Sequence, residues 1–179
     1  MPRELQAPRI ESVESPREIL AADFKSLGGE LPIRGGWGYS QEDAVIIDKN
    51  DPVVPSGIPF DGVEIEYIFV EKRIYEELII FRPPEERFAG IKWNLLKQRL
   101  TEHNGRSYDL LTFEVTALPG KDCEELKGEW EGPNGYGSSG FDVDAHFSKR
   151  DAKAIRYVTE YWFDITSFYG SDIDQDLSA

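Results

Sequence analysis

The chain has 179 residues and a formal net charge of -14. Its apolar fraction of 40% fills one domain-sized core, and no apolar run reaches the ~20 residues that cross a membrane. Like charge repels a phosphate backbone, which excludes nucleic acid as the expected partner; two histidines and one cysteine exclude an internal disulfide and leave little for nucleophilic or neutral-pH proton chemistry.

A lone Cys123 and a start without an apolar leader are the pattern of a reducing, cytoplasmic setting. Residues 1–15, with Pro2 and Pro8, read as a flexible arm ahead of a single domain over 16–169. Ser15, Pro16 and Glu18 form a capping box with a first-turn proline, and Ile19, Leu20, Phe24 and Leu27 share a helical face until Gly28-Gly29. This predicts a helix over 16–27. Residues 43–48 read as a helical turn leading into a strand, because Ser40 and Asp43 are capping residues whereas Val45, Ile46 and Ile47 are β-branched. Three prolines and two glycines make 51–62 a loop.

Over 63–81 the charges spread around a helical wheel and leave no apolar stripe, whereas Val63, Ile65, Tyr67 and Phe69 alternate with glutamates. Two strands joined near Lys72 are expected. A hairpin follows, with Asn104-Gly105 as its two-residue turn and Leu111, Phe113, Val115 and Ala117 as the inward face of the return strand. Residues 122–130 have helical composition, and 132–140, Gly-Pro-Asn-Gly-Tyr-Gly-Ser-Ser-Gly, read as a mobile loop. Ser148 and Asp151 read as a second capping box for a helix over 149–169, in which Ile155, Val158, Trp162 and Ile165 recur at helical spacing. The aspartate-rich end, 170–179, reads as an acidic disordered tail. The fold class expected is α+β: a mainly antiparallel sheet of four to six strands, with N-terminal and C-terminal helices packed on one face.

Four groupings have chemical potential. Arg34, Gly35, Gly36, Trp37 and Tyr39 form a glycine-framed loop whose amides suit an anion, or in which Trp37 and Tyr39 peg the loop to the core. Asp142, Asp144 and His146 alternate, so an extended segment would aim all three at a divalent metal, whereas a helix start would simply favour their negative charge. Glu64, Glu66, Glu71, Glu76, Glu77 and Glu114 would crowd on a sheet face, as an acid–base pair for sugar cleavage or as a solvated surface facing Lys92, Lys97 and Arg99. Trp130 beside a glycine loop is a candidate interface anchor. The function expected is an acidic cytoplasmic binding or interaction protein without catalytic activity or cofactor, whose partner is a protein or a small ligand. The alternative is a small carboxylate-based hydrolase with a divalent metal at Asp142, Asp144 and His146.

Overall fold

The computed structural model describes residues 1–25 and 29–169. In chain order these form β1 (Arg3–Glu4), α1 (Pro16–Asp23), β2 (Ile33–Gly35), β3 (Val45–Ile47), α2 (Gly62–Tyr75), β4 (Phe88–His103), β5 (Arg106–Pro119), α3 (Gly120–Glu131), α4 (Val143–Lys153) and β6 (Ile155–Asp164). A π-helical turn, Glu76–Ile80, continues α2, and one 3₁₀ turn, Pro84–Glu86, precedes β4. The fold is α+β, with a mixed, mostly antiparallel sheet in the order β2-β3-β6-β5-β4 and β1 beside β6 off that path. β1 and β3 both run parallel to β6: Arg3 and Glu4 pair with Ile155 and Arg156, while Val45 and Ile46 pair with Phe163 and Asp164. No described helix is long and apolar enough to cross a membrane.

The described chain falls into two compact units. The first comprises Met1–Pro8, Tyr75–Asn94 and Phe113–Thr159. Its core includes Leu78, Val115, Leu118, Leu126, Ile155 and Tyr157. Arg156 bridges Glu114 at 2.7 Å and Glu4 at 2.6 Å, so the first residues, read from sequence as a flexible arm, are tied to β6 by side chains as well as by the backbone bonds of Arg3 and Leu5.

Within the described residues the second unit comprises 9–25, 29–74, 95–112 and 160–169. Ser15 caps α1 through the expected reciprocal box with Glu18. The helix is shorter than predicted, ending at Asp23; Leu27 lies outside the described residues. Phe69 of α2 meets Phe163 of β6 edge-on at 5.7 Å and Trp37 at 6.3 Å. The hairpin turn is as predicted: Asn104 and Gly105 have φ of 50° and 76°, the left-handed pair that a two-residue turn requires. Contacts of Arg106 with Asp164 and of Tyr108 with Trp162 show β5 and β6 running antiparallel.

Four sequence expectations are corrected. Residues 63–81 are helical, not two strands, because the charges that denied the wheel an apolar stripe are themselves inside: Glu66, Lys72, Arg73, Glu76 and Glu77 are all buried. The side that faces solvent carries Val63 and Tyr67 beside Glu64 and Glu71, so apolar and charged residues occur on both sides and no stripe forms. Residues 149–169 are not one helix, so the helix expected there to pack with α1 on one face of the sheet is not formed by them. α4 ends at Lys153, and β6 then buries Ile155, Tyr157, Thr159, Tyr161 and Phe163, every second residue, in a segment dense in β-branched and aromatic side chains. The Ser148–Asp151 box is absent because both residues lie inside α4, whose cap is Asp142, accepting from the Ala145 amide at 3.0 Å. At 43–48 a non-helical turn precedes β3. The tail 170–179 lies outside the described residues.

Candidate functional site

Helices α3 and α4 of the first unit flank an open cavity of about 390 Å³. On α3, Cys123, Leu126, Lys127 and Trp130 recur at three- and four-residue spacing and so share one face; on α4, His146, Phe147 and Arg150 do the same. Leu118, at the end of β5, closes the floor and packs with Leu126 and Ala154, with Cys123 against them. The volume and the apolar lining are those of a small-molecule pocket.

Trp130 is the hub of an aromatic cluster. Its indole stacks on Tyr136 at 4.5 Å with planes 5° apart, meets Phe141 edge-on at 5.6 Å, and lies 5.1 Å from His146 and 5.8 Å from Phe147. The glycine-rich stretch expected to be a mobile loop is a series of turns that delivers Tyr136 to this stack: the Tyr136 amide donates to the Trp130 carbonyl at 2.9 Å. Glycine is required at 135, where a Cβ would stand 2.2 Å from that same carbonyl oxygen.

The charges sort into two groups. Lys149 pairs with Glu129, and Lys153 with Asp122 at 3.2 Å and Glu125 at 3.4 Å. The hydrogen bond from Lys149 holds Glu129 below the usual glutamate range, and the one that Lys153 donates to Asp122 raises Lys153. Lys127 and Arg150, which line the cavity, make no side-chain hydrogen bond or ion pair among the described residues. His146 is the third polar group: its side chain is 8% exposed, Nδ1 has no hydrogen-bond partner, and the nearest carboxylate, Glu129, stands 3.9 Å away. In either tautomer a buried ring nitrogen wants a donor or an acceptor.

The structure brings together two of the sequence candidates, Trp130 and His146, on grounds different from those that singled them out. Asp142, Asp144 and His146 do not lie along an extended segment. Asp142 is the cap of α4, Asp144 sits in its first turn, and His146 turns toward Trp130. No group of three or more His, Cys, Asp or Glu side chains placed to hold a metal occurs among the described residues.

The glycine-framed loop is closed on itself. The Gly36 amide donates to the Ala44 carbonyl, the Gly38 amide to the Asp43 carbonyl, and the Tyr39 amide to the Asp43 carboxylate, so the donors that would cradle an anion are used within the loop. A Cβ at Gly36 would fall 1.8 Å from Asp43 Oδ1, which is why the close turn needs glycine there. Gly35 ends β2 and Arg34 is exposed on it. Trp37, 5% exposed, donates through Nε1 to Ser12 Oγ at 3.0 Å, and the Tyr39 hydroxyl accepts from the Ile10 amide at 2.9 Å. The Trp37 side chain is buried and that of Tyr39 is half-buried.

The carboxylates proposed as an acid–base pair are separated. Glu64 is exposed at the start of α2, Glu114 is bound to Arg156, and Glu66 is buried beside Asp109, which itself accepts from Gln98 at 2.8 Å. Burial first, and then the neighbouring Asp109 carboxyl, push Glu66 up to about 9. It therefore carries a proton at neutral pH and can donate to Asp109. Neither residue lines the α3–α4 cavity.

A second cavity, of about 330 Å³, lies in the second unit between the 53–60 loop and the start of α2. Its acidic rim is already engaged in part: Glu30 pairs with Arg17 and Asp61 accepts from the Glu64 amide. No protein-family model matches this chain, and neither the curated proteins nor the solved structures contain a match to it.

Proposed function

We propose that this is an acidic, cytoplasmic binding protein without catalytic activity, and that the α3–α4 cavity is its ligand site. The ligand class is a small amphipathic anion: an aromatic or aliphatic body bearing a carboxylate or similar head. One observation carries the reading: an apolar, aromatic-walled cavity of about 390 Å³ holds a buried His146 Nδ1 with no hydrogen-bond partner, beside two cations that the surrounding acids leave unpaired. In a chain of net charge -14, cations without partners at one cavity favour a negative head, and the nearby Lys149 and Lys153 are already neutralised by acids. The apolar body would replace water against Leu118, Leu126 and the Trp130 ring, and Arg150 would take the head in a charge-assisted hydrogen bond.

Calorimetric titration with 4-phenylbutyrate, its neutral alcohol and its amine tests this. The carboxylate is expected to bind most tightly, and Arg150→Gln to weaken it about tenfold while leaving the alcohol unchanged, since the loss is of one charged contact, ~1.4 kcal/mol. Failure of all three to saturate, or preference for the amine, overturns the reading.

A further inference from the structure

Among the described residues strand β4 ends the sheet, with β5 as its one neighbour in the strand order. Within the second unit its residues from Leu95 to Leu100 are all exposed, Leu95, Leu96 and Leu100 by 39%, 53% and 51%. A strand exposed on both faces and along its outer edge offers a row of unpaired amides and carbonyls, and proteins usually shorten, bulge or interrupt such edges with proline. Here Leu95–His103 is free of proline and part of a 16-residue strand.

The two faces of this edge differ in character. A two-residue turn at Asn104-Gly105 makes His103 and Arg106 a hydrogen-bonded pair, so the backbones of residues 97, 99 and 101 bond inward to β5 and those of 96, 98, 100 and 102 point outward. Lys97 and Arg99 lie on one face, beside Leu110, Thr112 and Glu160 around a shallow hollow of about 180 Å³. Gln98 reaches Asp109 on the opposite face, which places Leu96 and Leu100 there too. Lys97 and Arg99 make no ion pair among the described residues.

We infer that this edge is a docking strand for an extended acidic segment of a partner protein, added antiparallel or parallel to β4, in which acidic and apolar residues alternate. Such a segment sets its carboxylates against Lys97 and Arg99 and its apolar side chains beside Leu96 and Leu100, while its backbone takes up the outward amides. A second copy of this chain is a poorer occupant: antiparallel pairing of two β4 strands about Gln98 brings each Lys97 against the other copy's Arg99, and like charges directly opposite are repelled. In that register the strand is protected against itself, and its two cations favour an acidic partner.

The probe is a fluorescein-labelled nine-residue peptide alternating valine and aspartate, with two comparison peptides: one alternating valine and lysine, and one with the first peptide's composition in two blocks. Anisotropy should report saturable binding of the alternating acidic peptide alone, and amide exchange should slow at Leu96, Gln98 and Leu100 but not at Lys97 and Arg99. Lys97→Glu combined with Arg99→Glu, both exposed and outside every described ion pair, should weaken binding at least tenfold without shifting the thermal midpoint. Equal binding of the block or lysine peptide, no binding of any, or protection of the wrong amides overturns the inference. So does a dimer in sedimentation runs that the double variant abolishes, which would give the edge to a second copy.

Discussion

Helix α2 carries Glu66, Lys72 and Arg73 inside the second unit, each 4% exposed or less, whereas α3 and α4 of the first unit hold Glu125, Glu129, Lys149 and Lys153 outside in a chain of ion pairs. The residue types are the same and the physics is opposite. An exposed pair exchanges one well-solvated arrangement for another and contributes little. A buried charge has lost its water and depends on the few groups that replace it. Arg73 has such replacements: its guanidinium lies 3.5 Å from the centre of the Tyr161 ring and 4.3 Å from that of Tyr39, and Nη1 donates to the Trp37 carbonyl at 3.1 Å. Lys72, over Phe24 at 5.5 Å, is lowered by burial, and Glu66 is raised by it.

If that contrast holds, the largest effect should come from Arg73→Met, which keeps the apolar stem and removes the head. Loss of a desolvated cation–π contact and a charge-assisted hydrogen bond should cost on the order of 3 kcal/mol in a urea melt. A midpoint close to wild type would mean that the buried charge is replaceable by grease, as some buried ion pairs are. The next concerns Glu66. Between its ordinary value and about 9 the folded chain holds a proton that the unfolded chain has released, so the contribution of this group is full below the ordinary value and is lost as pH climbs toward about 9. Glu66→Gln supplies a permanent donor to Asp109. Comparing midpoints at pH about 5 and about 8, the variant should lose less stability than wild type over that rise; identical slopes would remove the shared proton from the account. The smallest effect belongs to Lys153→Ala. Its midpoint should match wild type at both low and high salt, and a clear loss would show that the ion-pair chain of α3 and α4 acts as a network.

The hairpin was fully legible because two independent signals agree there, Asn104-Gly105 at the turn and the period-two face of Leu111, Phe113, Val115 and Ala117. α2 was not legible, because its buried side carries Glu66, Lys72 and Arg73 while Val63 and Tyr67 face solvent, so polarity does not mark which side is inside. β6 was misread because eight of the eleven residues from 155 to 165 are apolar, aromatic or β-branched, so a helical subset can be picked out as readily as the alternating one. Composition was the better arbiter. For the site, Trp130 and His146 were visible singly, but Lys127, Phe147 and Arg150 were not. Their signal, a three- and four-residue spacing on each of two helices, has meaning only once 143–153 is known to be helical and to start at Asp142.

The two short parallel partners of β6 bear on how the chain must fold. Arg156 and Glu4, which meet in a salt bridge, are 152 residues apart, and the backbone of Arg3 waits for Ala154. Val45 and Ile46 likewise wait for Phe163 and Asp164. During synthesis, then, β1 and β3 emerge long before the strand that satisfies them, and β6 joins both in one late event. Contacts this far apart in sequence slow folding, because the entropy of closing the loop is lost before any pairing repays it. A ribosome-bound nascent chain should stay protease-sensitive until β6 has cleared the exit tunnel, and then acquire resistance in a single step.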